Sequence, residues 1–190
     1  MQKSSGFTLL EVMVVVAIVA ILTTLAAPSF VSLMQSNSVS SNVNTFMSDL
    51  RFARSESIRR GGAVIMCRSD DPEAAAPVCN TTSGTNGWVS GWIIFENRDS
   101  ATTTNLNFTT GDELLRVQGP ITNLDSIGES GGSTKFQFTA LGRAKGLSSA
   151  TSLQFGGGSV PNTRQRVVCV NQTGRARIAG DGYASCSNDN

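Results

Sequence analysis

The chain has no histidine among its 190 residues, and this absence excludes the common nucleophilic active sites. Serine and cysteine nucleophiles are activated by a neighbouring base, which is histidine in the familiar triads. The adjacent acids Asp70–Asp71 and Asp112–Glu113 lie in polar stretches typical of solvated loops. No segment resembles a phosphate-cradling loop. The sequence therefore predicts a protein that is not an enzyme, with no catalytic residue, no cofactor and no metal site.

Charged residues are also scarce, at 15% of the chain, and the net charge is +1. Their distribution is nevertheless uneven. Residues 61–132 hold three basic and nine acidic residues, whereas residues 133–190 hold seven basic and two acidic ones. Most of the later cations form i, i+2 pairs, which point to one face of a strand. These pairs are Arg143 and Lys145, Arg164 and Arg166, and Arg175 and Arg177.

The long apolar stretch is at the N-terminus, where residues 7–30 read FTLLEVMVVVAIVAILTTLAAPSF. A helix over residues 7–27 would span roughly 30 Å, which is the thickness of a bilayer core. Glu11 lies inside this stretch, and a charged residue at membrane depth costs about 3 kcal/mol unless it has a partner. The sequence therefore predicts a membrane-spanning helix whose one carboxylate has a function.

The six residues before this stretch, MQKSSG, are unlike a secretory signal, because a cut after Gly6 would leave the apolar helix attached. The sequence GFTLLE followed by the apolar run and Pro28 resembles the class III leader of type IV pilins and type II secretion pseudopilins. The resemblance implies that a prepilin peptidase cleaves after Gly6 and methylates Phe7. It also implies that Glu11 pairs with the N-terminal amine of a neighbouring subunit during assembly.

The four cysteines are Cys67, Cys79, Cys169 and Cys186, which allow three pairings. An exported chain favours disulfides over metal, and the gaps lack the close CxxC spacing of zinc sites. We favour the sequence-local pairs, Cys67–Cys79 and Cys169–Cys186. Each would close a short loop worth about 3 kcal/mol in the chain-entropy model.

These observations predict a leader at residues 1–6, a helix at 7–60 with a transmembrane part at 7–29, and a β domain at 61–190. Pro28 is expected to bend or break the helix. Beyond it, apolar residues recur at helical spacing, which predicts that one face packs on the β domain. This stripe is Val39, Val43, Phe46, Leu50, Ala53 and Ser57, widened by Met47 and Ile58.

Gly61–Gly62 is expected to end the helix, and short strands follow. They are predicted at residues 63–67, 91–97, 112–119, 134–142, 152–155, 164–171 and 175–179, with a loop at 69–88 and a connector at 121–133. Gln172–Thr173–Gly174 predicts a hairpin turn between the last two strands. The fold class is therefore α+β, a long helix packed on an antiparallel β-sheet.

Three further segments resemble the GspH/FimT/FimU group of minor pilins and pseudopilins: DLRFARSESIRRG (49–61), WVSGWIIFEN (88–97) and FTALGRAKG (138–146). The resemblance implies the type IV pilin fold and a low-abundance subunit that helps to initiate or cap a fibre. Its partners would be other pilins and the prepilin peptidase. It would span the inner membrane once before assembly, and then lie in a pilus at the cell surface or in the periplasm.

The GRAR sequence, Gly174–Arg177, resembles the G-R-x-R motif of the FimT branch, which is linked to DNA binding in natural transformation. Arginine forks match phosphate oxygens. This interpretation predicts a DNA-binding surface of Gly174, Arg175, Arg177, Arg143, Lys145, Arg164 and Arg166, with Tyr183 as the one stacking candidate and Arg59 and Arg60 as the next cations to consider. The alternative is a solvated hairpin, or one facing an acidic pilin, in a purely structural subunit or a type II secretion pseudopilin.

Overall fold

The computed structural model describes residues 6–98, 106–147, 150–158, 160–179 and 186. The chain forms two units, Met1–Asn37 and Ser38–Asn190. One long helix, α1 (Leu9–Arg60), is followed by nine strands in the described residues. The strands are β1 (Val64–Arg68), β2 (Trp92–Glu96), β3 (Glu113–Gln118), β4 (Ser126–Glu129), β5 (Lys135–Phe138), β6 (Ala144–Lys145), β7 (Thr151–Gly156), β8 (Arg166–Val170) and β9 (Ala176–Ala179).

In the first unit, α1 begins with a side-chain cap. The hydroxyl oxygen of Thr8 accepts a hydrogen bond of 3.3 Å from the backbone N–H of Glu11, the pairing expected of a T-x-x-E capping sequence. An 18-residue window of α1 has a mean hydropathy of 2.6, and none of it is buried. By length and composition the helix can cross a membrane. Of the expected bend or break at Pro28, the break is not found, since α1 runs through Pro28 without interruption.

In the second unit, the part of α1 from Ser38 onward packs against two sheets, whereas the sequence predicted a single sheet. The five-stranded sheet has the order β3-β2-β1-β5-β6, and the four-stranded sheet has the order β4-β7-β8-β9. Two strands were missed. β4 lies in the predicted connector, and β6 is only two residues long. The predicted strand 134–142 ends early because the chain turns at Thr139–Gly142, where the Gly142 N–H bonds the Thr139 carbonyl at 2.7 Å.

The predicted apolar stripe of α1 is confirmed, since all six of its residues are at most 2% exposed. Ile58 was wrongly included and is 52% exposed. Phe46 is the centre of the stripe. Its ring contacts those of Trp92 and Phe136 in the five-stranded sheet and Phe155 in the four-stranded sheet, at centroid distances of 5.1, 6.4 and 5.5 Å. The face of each sheet toward the helix is called its inner face below, and the other its outer face.

Asp49 is a buried carboxylate that the sequence did not reveal. It is 3% exposed and accepts a hydrogen bond of 2.8 Å from the indole Nε1 of Trp92. Its second oxygen lies 2.6 Å from Nη1 of Arg116, whose guanidinium is 3.9 Å from the ring centre of Phe52. A buried carboxylate is tolerated only when it is paired and hydrogen-bonded. Asp49 therefore fixes strands β2 and β3 to the helix.

The last turn of α1 carries a cluster of charges. Arg60 lies 2.9 Å from Glu56, 2.6 Å from Glu96 in β2 and 3.0 Å from Glu113 in β3. Hydrogen bonds from Arg59 and Arg60 lower the pKa of Glu56 to about 2, so this carboxylate stays ionised. Gly61 and Gly62 then end the helix with positive φ angles of 81° and 113°, as predicted.

Both predicted disulfides are present, Cys67–Cys79 and Cys169–Cys186. Each lies in a small apolar cluster on the outer face of one sheet. The first packs with Ile65, Ile93 and Phe95, and the second with Val167 and Ala179. Each sheet is therefore covered by α1 on one face and stapled by a disulfide on the other.

Replacing Asp49 with alanine should lower the free energy of unfolding by about 2 kcal/mol, because the Trp92 N–H loses its buried partner. The exposed change Ser48→Ala on the same helix should cost less than about 0.5 kcal/mol. Urea unfolding of the full chain in detergent measures both, with the fluorescence of buried Trp88 and Trp92 as the signal. Equal stabilities for the two variants would contradict the role given to Asp49.

Candidate functional site

The β8–β9 hairpin turns as the sequence predicts. The Gly174 N–H bonds the Asn171 carbonyl at 2.9 Å, and the Asn171 N–H bonds the Arg175 carbonyl at 3.1 Å. The Asn171 side-chain oxygen also accepts from the Arg175 N–H at 3.1 Å. Gly174 has a φ of +72°, which is the left-handed position of a three-residue hairpin loop. The arrangement fixes the direction in which the chain leaves toward Arg175.

Gly174 also touches a distant segment. A Cβ atom at position 174 would lie 2.1 Å from the carbonyl oxygen of Gly142 and 3.3 Å from the Ala144 nitrogen. The Ala144 N–H bonds the Gln172 carbonyl at 3.1 Å, so residues 142–144 and 172–174 are in backbone contact. We call this contact the seam. It joins the edge strand β6 of the five-stranded sheet to the hairpin of the four-stranded sheet.

Arg54 supports the seam from the helix, and sequence reasoning missed this. Its Nε donates a hydrogen bond of 2.8 Å to the Gly142 carbonyl, the oxygen that faces Gly174. The family-like segment at 49–61 contains Arg54, but only the position of Gly142 in space shows what it binds. One side chain of α1 therefore contacts the point at which the two sheets meet.

Four cations lie beside the seam on outer faces. Arg143 and Lys145 flank the buried inner-face residue Ala144, and both are exposed. Arg175 and Arg177 are exposed on the other side of the seam. Arg177 is opposite Cys169, whose side chain lies in the outer cluster of the four-stranded sheet. These four residues, Arg143, Lys145, Arg175 and Arg177, are called the basic surface.

The third predicted pair does not join them. Arg164 lies in a short 3-10 turn (Asn162–Arg164) before β8, and Arg166 is at the first position of that strand. Arg166 is opposite Phe155, a residue of the inner face, whereas Arg177 belongs to the outer face. Arg164 and Arg166 are therefore at the opposite end of β8 from the seam. Arg166 also belongs to the inner face of the sheet, whereas the cations of the basic surface are on outer faces.

Arg59 and Arg60, the next candidates for DNA contacts, form ion pairs with Glu56 at the end of α1. Arg68, Arg98 and Arg116 also form ion pairs. By contrast, Arg143, Lys145 and Arg175 have no carboxylate partner within the part of the chain that the structure describes. Three of the four cations of the basic surface are therefore not neutralised by an ion pair within the described residues.

The predicted processing and assembly residues lie at the start of the first unit. Gly6 and Phe7 precede the first helical residue, and Phe7 and Glu11 are exposed. The backbone N–H of Glu11 is held by Thr8. The rest of the predicted leader, residues 1–5, and the stacking candidate Tyr183 lie outside the described residues.

Comparisons with known proteins define the class and then the family. Residues 1–27 match the prokaryotic N-terminal methylation motif, which with the long helix and antiparallel sheets marks a pilin-like subunit anchored in a membrane before assembly. Residues 42–174 match the sequence model of the family described as type II transport protein GspH. That match covers more than half of the chain, so the chain belongs to the GspH family.

Solved structures confirm the type IV pilin fold. The chain is similar to two crystal forms of the type IV minor pilin FimU of Pseudomonas aeruginosa, with TM-scores of 0.53 and 0.50 and identities of 17% and 18%. Each comparison covers 77% of this chain, and 96% and 98% of FimU respectively. No curated protein sequence matches. The methylation motif and the GspH match together show a protein of the pilin and pseudopilin class.

Gly174→Ala should open the seam, because its Cβ would collide with a backbone carbonyl that cannot move aside cheaply. Gly132→Ala is the matched control, since Gly132 has a φ of +70° but nothing within 4 Å of its added Cβ. The control should cost about 1–2 kcal/mol for the left-handed backbone alone, and Gly174→Ala clearly more.

Amide hydrogen exchange measures the local effect. The Ala144 N–H should exchange faster in Gly174→Ala, because its acceptor is the Gln172 carbonyl, and should be unchanged in Gly132→Ala. An Ala144 N–H equally protected in both variants would show that the seam does not depend on the glycine.

Proposed function

We propose that the chain is a FimT-type minor pilin whose basic surface binds DNA without sequence preference, for uptake in natural transformation. The observation that carries the proposal is the seam, which brings two distant cation pairs together on one exposed surface. Arg175 and Arg177 belong to the segment that resembles the G-R-x-R motif. Lys145 is supplied by β6, and Arg143 by the turn just before it.

The chemistry of the basic surface fits a phosphate backbone. Three arginines present planar forks that bind phosphate oxygens bidentately, and the lysine adds a point charge. Such contacts position a nucleic acid but carry no sequence information. They release counterions, so the affinity falls as salt rises. One head with about four phosphate contacts should bind weakly, in the micromolar range or worse at physiological salt.

The basic surface lies beside the C-terminal end of α1. Arg54 and Ile58, in the last two turns of α1, contact Gly142 beside the seam. The first turn of this unit, at Ser38, contacts Asn123 instead. Within this unit, the basic surface is therefore near the opposite end of α1 from Ser38.

A second candidate is a purely structural subunit that primes or caps a fibre, in a pilus or in a type II secretion system. The family description, which names type II transport, favours it. In that case the basic surface would meet an acidic neighbour, and DNA would not bind.

For the N-terminal unit we propose cleavage after Gly6, methylation of Phe7, and pairing of Glu11 with the N-terminal amine of a neighbouring subunit. The proposed boundaries are a leader at 1–6, a transmembrane segment at 7–29 and a globular β domain from 61. The exposed carboxylate on an otherwise apolar, unburied helix supports the pairing, because it is costly in lipid until a cation meets it.

The double change Arg175→Gln and Arg177→Gln should abolish most DNA binding by the full chain in detergent, because both cations act on one surface. Exposed changes of this kind cost under about 0.5 kcal/mol, so the fold should persist. Fluorescence anisotropy with a labelled oligonucleotide at several salt concentrations measures the affinity and its salt dependence.

The matched control is Arg164→Gln with Arg166→Gln, which removes the same charge from the other end of β8. It should retain most of the affinity. An equal loss of affinity in both double variants would show that net charge alone, and not the basic surface, determines binding. Wild-type affinity in Arg175→Gln/Arg177→Gln would show that the hairpin is a solvated surface with no part in binding. A wild-type chain that does not bind DNA at all would support the structural candidate.

Glu11→Val should leave membrane insertion intact, since it removes a charge from an apolar helix, but should impair incorporation into a fibre. Glu11→Asp keeps the charge and should retain more incorporation. Immunoblots of the sheared pilus fraction and of the membrane fraction separate the two steps. Wild-type amounts of Glu11→Val in the pilus fraction would disprove the assembly role.

A further inference from the structure

A cleft next to the basic surface has no role so far. It has a volume of about 520 Å³ and lies on the outer face of the five-stranded sheet. Its lining includes the ammonium-bearing side chains of Lys135 and Lys145, the polar residues Gln137 and Thr81, and the apolar residue Leu147. Clefts of this size accommodate a small ligand or one unit of a polymer.

The strand register places the two lysines on one face. Lys145 is directly opposite Gln137, and Lys135 is two residues along β5 from Gln137. Residues at i and i+2 of a strand share a face, and directly opposed residues do so as well. Lys135 is also opposite Cys67, which confirms that the shared face is the outer one.

Lys135 is the better enclosed of the two. It is half-buried, and its Nζ donates a hydrogen bond of 2.7 Å to the side-chain oxygen of Asn107. No carboxylate pairs with it among the residues that the structure describes. Burial lowers the pKa of this ammonium, because desolvation disfavours its charged form. An anion in the cleft would supply the negative counter-charge that the ammonium of Lys135 lacks.

Lys145 connects the cleft to the basic surface, since it belongs to both. A second, smaller cleft of about 410 Å³ is lined by Arg143 and Lys145 together. The cations thus form a continuous series from Arg175 across the seam to Arg143, then Lys145, then Lys135. A nucleic-acid strand that followed this series of cations would bring its successive phosphates past each of them.

We propose that the cleft is a phosphate-binding site, in which Lys135 and Lys145 hold one phosphate group of the nucleic acid that crosses the basic surface. This inference rests on the proposed DNA binding and extends it to a residue outside the motif. The apolar wall at Leu147 and Leu106 suits the sugar or base of the same nucleotide. A single strand or a frayed end fits the cleft best, because a nucleotide in an intact duplex cannot leave its stack without cost.

The first test uses the lysines themselves. The chain has three, Lys3, Lys135 and Lys145, so selective 15N-lysine labelling of the full chain in detergent gives three backbone amide signals. Lys135→Gln and Lys145→Gln assign two of them. On titration with thymidine 5′-monophosphate, the signals of Lys135 and Lys145 should both shift, while that of Lys3, in the leader, should not. A shift of Lys145 without Lys135 would overturn the proposal.

The second test measures affinity for a short thymidine oligonucleotide. Lys135→Gln should weaken binding several-fold and reduce the slope of log K against log salt by about 0.7, the value for one phosphate of a single strand. Lys135→Arg should keep most of the affinity. Arg164→Gln, which removes one charge far from the cleft, should behave as the wild type.

The outcomes separate the cleft from the proposed function. Binding that is lost in Arg175→Gln/Arg177→Gln but unchanged in Lys135→Gln, in both affinity and salt slope, would overturn the cleft and leave the proposed function standing. A wild-type chain that does not bind the oligonucleotide would overturn both. A weaker complex and a lower slope in Lys135→Gln, with the lysine signals shifting together, would support the phosphate site.

Discussion

The second unit, Ser38–Asn190, is organised around one aromatic ring, that of Phe46, which packs between the two sheets. Its ring contacts Trp92 of β2, Phe136 of β5 and Phe155 of β7, so one side chain packs against both sheets. Aromatic pairs in edge-to-face geometry contribute beyond the area that they bury. The helix is therefore the common support of two small sheets that do not share strands. The seam then joins an edge of one sheet to a hairpin of the other, so that cations from the segment 143–145 and from the β8–β9 hairpin lie beside it.

Much of this was predictable, because the governing patterns are local. The spacing of Val39, Val43, Phe46 and Leu50 predicts the buried helix face, and the Gly61–Gly62 pair predicts its end. The short loops between cysteines predict the disulfides. Pairing between distant strands was not predictable, since alternation shows that a strand has two faces but not which sheet it joins. Thus the sequence predicts a β domain, while the division into two sheets and the two-residue strand β6 emerge only from the structure.

The candidate site shows the same division between local and distant information. The i, i+2 spacing predicts that Arg175 and Arg177 share a face, and likewise Arg143 and Lys145, but it treats Arg164 and Arg166 identically. Only the register of β8 separates them. Counting charges also overestimates the positive charge available to a ligand, because several arginines bind groups within the protein. Arg60 and Arg116 neutralise carboxylates at helix and strand positions, and Arg54 binds a backbone carbonyl. What distinguishes the basic surface is that cations from two distant segments meet at the seam, a property that composition does not show.

The seam has an evolutionary consequence. Gly174 has no room for a side chain because the carbonyl of Gly142 occupies the place, and that carbonyl is held there by Arg54. Three positions far apart in the chain, on the helix, on a turn and on a hairpin, are therefore constrained as one unit. A lineage that abandons the glycine must rebuild the turn at 139–144 at the same time. Loss of the motif should thus be an abrupt event in the history of such subunits, and its glycine should persist even in descendants whose arginines have drifted to other uses.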